Sequence, residues 1–459
     1  MMRGSRHDRS RDGRARRFGR YPDYKDSGVE WLGEIPAHWE AKRLKTMASV
    51  QLSNVDKKTE EGQPPVQLCN YVDVYYNDTI TADLEFMSAS ATREQRRRFQ
   101  LRVGDVLITK DSESWDDIAV PAVVVQEVPD VLCGYHLAQI RPRPQLDGRF
   151  LARQFSAIGT RDQFHVAANG ITRFGLGGDA IRTGIFPIAP IEEQRAIAAF
   201  LDRETAKIDA LVARKARLIE LLQEKRTALI TRAVTQGLDP NVPMKDSGIE
   251  WLGKVPAHWS VKKVTWLFRI GSGTTPRSED PRYYGDQVPW LTTSELRESL
   301  VTATEKNITT RALRDHSSLN LHPAGSVVVA MYGATIGRLG VLGIPATVNQ
   351  ACCVFSDPDR TNAWYWFYWL QMRRPYLVAL GYGGGQPNLS QELIRSIRAP
   401  TPPLSEQEKI VEYLHARTAS IQALIDDVQK AIAYLHEYRT ALISTAVTGK
   451  IDVRKAASR

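Results

Sequence analysis

KDSGVEWLGEIPAHW, residues 25–39, returns as KDSGIEWLGKVPAHW at residues 245–259, identical at 12 of 15 positions across an offset of 220 residues. A second echo closes each copy. EEQRAIAAFL from Glu192, with KRTALITRAVTQG behind it, matches SEQEKIVEYL from Ser405, with YRTALISTAVTGK behind it, at an offset of 213. A long repeat whose ends agree while its middle has drifted reads as one scaffold used twice, carrying two different middles. Length alone suggests about three domains. The repeat sharpens this to two globular units plus connecting elements.

The second echo has a helical period. Apolar residues fall on seven-residue ladders, one through Leu201, Ile208, Lys215, Leu222 and Leu229, the other through Ile197, Glu204, Leu211, Leu218 and Lys225. Adding 213 gives Leu414, Ile421, Val428, Leu435 and Leu442, and then Ile410, Arg417, Leu424, Ala431 and Tyr438. Sustained heptads predict a coiled-coil seam. Ser405 with Glu408 has the spacing of a capping box, and Glu192 and Glu193 stand where a helix dipole favours acids. Gly237 and Gly449 suit left-handed caps at the far ends. Each helix of about 44 residues would be about 65 Å long at 1.5 Å per residue. A globular unit lies between them, so the simplest packing is one antiparallel pair; docking of each seam on its own unit is the plainer alternative.

The middles read as mixed α/β. LRVGDVLITKD (101–111) and IAVPAVVVQEV (118–128) in the first copy, and HPAGSVVVAMYG (322–333) and LGVLGIPATV (339–348) in the second, are short β-branched runs punctuated by Gly and Pro. Gly104 aligns with Gly325 at an offset of 221, and Ile181 and Arg182 with Ile394 and Arg395 at 213, so the middles share a fold. The expected fold class is α/β (α+β): two similar globular domains joined by two long antiparallel coiled-coil helices, a pseudo-two-fold internal repeat.

Composition narrows the class. Hydrophobic content of 42% and charged content of 25% are ordinary for a soluble globular protein. Residues 1–20 hold eight Arg and two Asp, so +6 of the net +9 sits in a tail that reads as disordered, either a phosphate contact or a loose leader. Four cysteines (Cys69, Cys133, Cys352, Cys353) lack metal or CxxC spacing. No apolar run approaches the roughly 18–20 residues of a membrane span, and the Arg-rich start is no secretory signal. A cytoplasmic protein is expected.

The motifs hold no recognisable reaction centre. There is no Asn/Asp-Pro-Pro-aromatic tetrapeptide of the amino-methyltransferase kind, and no GxxxxGK[ST] phosphate loop. The glycine clusters GATIGRLG (333–340) and GYGGG (381–385) lack a strand–GxGxxG–helix context and read as turns. His38 and His258 recur inside PAHW, which suggests scaffold, and Asp116 and Asp117 lack a nuclease pattern. A binding module is favoured over an enzyme.

On these residues the chain resembles the specificity subunit of a type I restriction–modification system, over nearly everything after residue 20. The resemblance rests on the K-D-S-G-x-E-W-L-G-x-x-P-x-H-W lead-in, the P-x-x-E-Q-x-x-I helix start, the R-T-A-L-I helix end and GDVLITKDSESWDDIAVPAVV. GSGTTPRSEDPRYYGDQVPWLTTSEL, AMYGATIG and VNQACCVF add to it. It implies a tail at 1–20, target-recognition domains at 21–190 and 238–403, spacer helices at 191–237 and 404–449, and a C-terminal tail at 450–459. It further implies that each domain reads half of a bipartite, asymmetric site on double-stranded DNA. The paired helices would set the gap and dock two modification (methyltransferase) subunits. S-adenosylmethionine, ATP and magnesium would belong to those and to restriction/translocase subunits, with no cofactor on this chain. A self-sufficient DNA methyltransferase or nuclease is the rival.

The candidate DNA contacts are loop residues able to meet base edges. In the first copy they are Lys110, Ser112, Ser114, Trp115, Asn169, Thr172 and Arg173. In the second they are Thr274, Thr275, Arg277, Tyr332, Arg338, Gln386 and Asn388. Asn, Ser and Thr also favour turns for local reasons. TREQRRRF (92–99) fits a phosphate contact or a solvated helix face equally well. WYWFYW (364–369) cannot face one way along its length and reads as a buried helix, with Trp31, Trp39, Trp251 and Trp259 as packing anchors.

Overall fold

The computed structural model describes residues 18–380 and 388–454. The chain divides into two compact units, residues 1–215 with 429–459, and residues 216–428.

In unit 1 the lead-in makes β1 (Tyr24–Asp26) and β2 (Glu34–Pro36), followed by β3 (Glu40–Arg43) and β4 (Ala48–Leu52). Next come β5 (Pro65–Cys69), α1 (Tyr71–Tyr75), β6 (Thr79–Ile80), β7 (Met87–Ser90) and α2 (Arg93–Phe99). The chain continues through β8 (Val106–Thr109), β9 (Asp111–Ser112), β10 (Pro121–Val124), β11 (Val131–Cys133) and β12 (Leu137–Pro142). Then follow α3 (Gly148–Phe155), α4 (Ile158–Ala167), β13 (Phe174–Gly175), α5 (Gly178–Thr183), β14 (Ile185–Ile188) and the long α6 (Ile191–Gln236).

Unit 2 repeats the plan. It has β15 (Met244–Asp246), β16 (Lys254–Pro256), β17 (Ser260–Lys263), β18 (Arg269–Ser272), β19 (Tyr284–Gly285) and β20 (Val288–Leu291). After these come β21 (Ser299–Val301), β22 (Asn307–Ile308), α7 (Thr310–Asp315), β23 (Val327–Ala330) and β24 (Leu339–Leu342). It ends with β25 (Thr347–Val348), β26 (Cys352–Ser356), α8 (Ala363–Leu380), α9 (Gln391–Ser396), β27 (Arg398–Thr401) and α10 (Leu404–Val447).

The main sheets share one order, β4-β12-β8-β10-β6 in unit 1 and β18-β26-β23-β24-β21 in unit 2. Each is antiparallel until its last pair, where β10/β6 and β24/β21 run parallel. The central strands are apolar throughout because both faces are covered. Val106 and Ile108 enter one core while Leu107 enters another, and Val327 and Val329 part from Val328 and Ala330 in the same way. Period-two alternation into two cores leaves no polar position in VLI or VVVA.

The echoed segments meet at the helix heads. In unit 1, Trp39 Nε1 donates to Glu193 Oε1 at 3.1 Å and His38 Nε2 lies 2.8 Å from Glu193 Oε2. In unit 2, Trp259 Nε1 donates to Glu406 at 3.1 Å and His258 Nε2 lies 2.7 Å from it. The next residue works alike: Gln194 accepts from Asp147 N and Gln407 from Asn362 N, so each glutamine anchors the start of an earlier helix, α3 in unit 1 and α8 in unit 2. Both tryptophans are fully buried. PAHW and EQ recur because they make one clamp. The expected capping box at Ser405 is not used: α10 starts at Leu404, and Pro403 O accepts from Glu406 N and Gln407 N, as Pro190 O does from Glu193 N and Gln194 N. Gly237 and Gly449 take φ of +76° and +71° at the far ends, where a Cβ on Gly449 would come within 2.3 Å of Pro36.

Within each unit, half of one long helix packs beside the opposite half of the other. In unit 1 the buried or half-buried stripe is Leu201, Thr205, Ile208, Val212 and Lys215 on α6, facing Ile432, Leu435, Arg439, Leu442 and Ala446 on α10. In unit 2 it is Ile219, Leu222, Arg226, Leu229 and Ala233, with Leu414, Thr418, Ile421, Ile425 and Val428. The first ladder therefore lines the stripe in both copies. Its partner ladder differs from the expected one: Leu211, Leu218 and Leu424 are 42%, 43% and 50% exposed. Heptads alternate steps of three and four, and the steps run four and then three from Leu201, through Thr205 to Ile208.

The tail boundaries also shift. Phe18 stacks edge-on against Phe200 at 5.2 Å, and Gly19 bridges Asp452. Ile451 and Val453 are buried, so the ordered unit takes in residues expected to lie in both tails. Residues 1–17 lie outside the described residues. TREQRRRF forms α2 with a Thr92–Gln95 capping box, and Arg96 reaches Asp130 at 2.5 Å. Tyr365 to Trp369 are buried within α8, as the aromatic run predicts. Among the described residues no helix is long and apolar enough to cross a membrane.

Candidate nucleic-acid interface

One edge of each unit gathers most of the candidate residues. In unit 1, β8 leads into a loop over residues 110–119, and β9 in that loop pairs antiparallel with β13, Ser112 opposite Phe174 and Asp111 opposite Gly175. Leu176 N donates to Lys110 O at 2.7 Å. Two stretches some sixty residues apart in sequence thus become one surface.

Unit 2 builds the same edge from different residues. Tyr332 bridges Asn388, and Leu389 N donates to Met331 O at 2.8 Å. By offset, Asn388 stands where Gly175 stands and Tyr332 where Asp111 stands. Lys110 N donates to His136 O, and Met331 N to Ala351 O in the same way. The backbone ladder is conserved within the molecule; its side chains are not.

Individual residues divide into inward and outward sets. Lys110 is buried, with Nζ 2.5 Å from Asp111 and 4.6 Å from the Tyr135 ring centroid. Ser112 is also buried, 3.2 Å from Tyr71 Oη. These two hold the edge in shape. Ser114 bonds the Asp116 carboxylate, which keeps that carboxyl below the usual range. Trp115 is 53% exposed and stands edge-on to His165 at 5.2 Å. Burial, with Arg161 nearby, lowers the His165 pKa. Asn169, Thr172 and Arg173 are exposed, and Arg173 reaches His136 Nδ1 at 2.9 Å.

In unit 2, Thr274 is half-buried and its carbonyl accepts from Trp290 Nε1 at 3.2 Å. Thr275 Oγ1 meets Gln350 Oε1 at 2.5 Å, beside the Met331–Ala351 bond, and Arg277 follows, exposed. Arg338 is exposed on the turn after β23, where its carbonyl accepts from Ala330 N at 2.9 Å. Gln386 and the GYGGG cluster lie outside the described residues.

Three tyrosines not among the candidates, Tyr71 and Tyr75 on α1 and Tyr76 just after it, lie beside the loop over residues 110–119. Tyr71 and Tyr75 stack at 5.4 Å, and Tyr76 stands edge-on to Tyr75 and 77% exposed. Tyr75 Oη donates to Asp117 at 2.8 Å, which pushes its pKa up to about 12. YVDVYY was the available signal, but only the fold sets it beside a loop forty residues later.

All four cysteines are buried, and burial raises each thiol. Among the described residues no three His, Cys, Asp or Glu side chains gather as a metal site. Donors, acceptors and aromatic faces on a rigid ladder suit recognition.

Comparison with known proteins agrees. The family described as type I restriction modification DNA specificity domain matches residues 256–432. A putative type I restriction enzyme MjaX specificity subunit from Methanocaldococcus jannaschii is 24% identical over 434 residues, covering 92% of this chain and 96% of that one. A solved chain from work on complex assembly and conformational transition of the type I R-M system superposes with a TM-score of 0.71 at 16% identity, covering 90% of this chain and 98% of that one. The HsdS subunit from Thermoanaerobacter tengcongensis gives 0.55 at 16% identity, covering 91% and 98%. With duplicated domains, long shared helices and two unlike edges on one backbone ladder, the chain carries a match to the type I DNA specificity domain over residues 256–432 and is similar along its length to specificity subunits of type I restriction–modification systems.

Proposed function

We propose that the two units read the two halves of a bipartite, asymmetric site on double-stranded DNA. The observation that carries this reading is the paired edge: Asp111 opposite Gly175 and Tyr332 opposite Asn388 occupy one ladder position, while the flanking loops, KDSESWDD and MYGATIGR, share almost nothing. Target-recognition domains at 21–190 and 238–403 carry the readers. The exposed side chains Trp115, Asn169, Thr172 and Arg173, and Thr275, Arg277, Arg338 and Asn388, are the base and phosphate contacts. Each well-placed bidentate contact adds about 1–3 kcal/mol of discrimination.

The spacer helices, 191–237 and 404–449, fix the gap between half-sites, much as dimer geometry does elsewhere. They also dock two modification subunits, which bring S-adenosylmethionine. Restriction/translocase subunits supply ATP- and magnesium-dependent steps, and the complex works in the cytoplasm.

Methylation mapping of a genome expressing the assembled complex tests this. A split, non-palindromic motif is expected. Exchanging residues 260–400 for a homologue's should change one half of the motif and leave the other. Methyl transfer by this chain alone, or a change in both halves, would overturn the assignment.

A further inference from the structure

Ile171 is 96% exposed at the tip of the loop that β13 ties to β9, and Val166 nearby is 88% exposed. An aliphatic side chain so bare could fold back if its loop allowed. This loop does not. Asn169 N donates to Gly175 O at 3.0 Å and Gly175 N to Asn169 O at 2.8 Å, closing the base of the loop from both sides. Gly170 takes φ of +149°, and a Cβ there would lie 1.9 Å from Arg173 O, so the turn is too tight for any other residue. Ile171 is presented on a clamped tip.

Its neighbours indicate which groove it meets. Beyond the Ser112–Phe174 pair, Glu113 and Arg173 are the next residues out, both exposed, and Asp116 is exposed on the same loop. Carboxylates disfavour the minor groove, where the negative potential of DNA is strongest. In the major groove they can accept from exocyclic amines, while Arg173 can donate to guanine. Ile171 has neither donor nor acceptor. The one base-edge group there that complements an aliphatic side chain is the thymine 5-methyl.

We propose that Ile171 is a specificity-determining residue that recognises a thymine methyl in the major groove of the half-site read by unit 1. The inference rests on the DNA-reading assignment above and adds a base to it. Glu113 and Arg173 flank the contact and set its register along the duplex.

The test uses the complex assembled with its modification subunits, on duplexes bearing the mapped motif. Each thymine of the unit 1 half-site is replaced in turn by deoxyuridine, which removes the 5-methyl group alone. One replacement should weaken binding about fourfold, the ~0.8 kcal/mol of one buried carbon at 1.4 kcal/mol per tenfold. The Ile171→Ala complex should bind the natural duplex at least as weakly and be indifferent to that replacement, with Ile171→Val between. Arg173→Ala should bind more weakly yet keep its sensitivity to the methyl. A half-site without thymine, a wild-type complex blind to every replacement, or an Ile171→Ala complex as sensitive as wild type would each overturn the inference while leaving DNA reading intact. A wild-type complex with no preference for its motif over scrambled DNA would overturn both.

Discussion

Arg439, near the end of α10, places Nη2 2.5 Å from Asp78 Oδ2, across 361 residues of chain. The same guanidinium reaches Asp209 on α6 at 3.1 Å, and Arg153 joins Asp78 at 2.9 Å to Asp202 at 3.0 Å. Asp78 sits just before β6, so two arginines fasten the sheet margin of unit 1 to its helices. Burial pushes the Asp78 carboxyl up, but Arg153 and Arg439 pull harder and hold it below its ordinary value.

Arg226 is the counterpart of Arg439 at the offset of 213, and its setting differs. Asp209 is replaced by Gln422, 3.5 Å away, and Arg226 Nε is buried with no hydrogen-bond partner among the described residues. Arg439→Met should therefore cost unit 1 about 1–2 kcal/mol, between an exposed pair and a buried charged hydrogen bond. Arg226→Met should leave unit 2 unchanged or slightly more stable, since it removes an unsatisfied donor. Hydrogen exchange resolved by unit would read both, and equal losses would contradict the asymmetry.

His322 is buried at 3% exposure, and neither ring nitrogen has a hydrogen-bond partner among the described residues. Burial, helped by Arg269 nearby, lowers its pKa, so the folded state resists the proton that the unfolded chain accepts near pH 6.5. Stability of unit 2 should hold above that value and decline as pH falls through it toward the lower folded value. His322→Leu should flatten this decline between pH 7 and 5 in denaturant titrations. A slope unchanged by the substitution would assign the effect to other groups.

Adjacent residues on α10 separate the two possible seams. Ile425 is 4% exposed, so Ile425→Ala should cost about 2–4 kcal/mol. Leu424 faces outward, and Leu424→Ala should stay within about 0.5 kcal/mol. Thermal melts of the two variants decide, and reversed magnitudes would restore the ladder through Leu424.

That ladder shows where the sequence could be read and where it could not. The stripe through Leu201, Ile208, Leu222 and Leu229 was legible because its own residues are apolar. Its partner stripe holds Thr205, Arg226, Thr418 and Arg439, polar residues kept half-buried or buried by tertiary partners. Arg153 meets Thr205, and Tyr368 lies 3.3 Å from Thr418. Hydropathy counts those positions as surface and prefers Leu211, Leu218 and Leu424, which face outward. The candidate interface was legible in the same measure. Loop composition singled out Trp115, Asn169 and Arg173, which the fold leaves exposed, but also Lys110 and Ser112, which only the folded packing buries, and only that packing brings Tyr71 and Tyr75 alongside.

The clamps at Glu193 and Glu406 have an evolutionary corollary. The histidine and tryptophan they use lie in the repeated lead-in and the glutamate at a helix head, and none lies on the loops at 110–119 and 331–338. Mutation can rewrite the exposed positions of those loops without touching these clamps. Because the lead-ins are so nearly alike, a crossover at them would import a whole foreign recognition cassette onto matching joints. Such a lineage could acquire a new target in a single inheritance event and still fold.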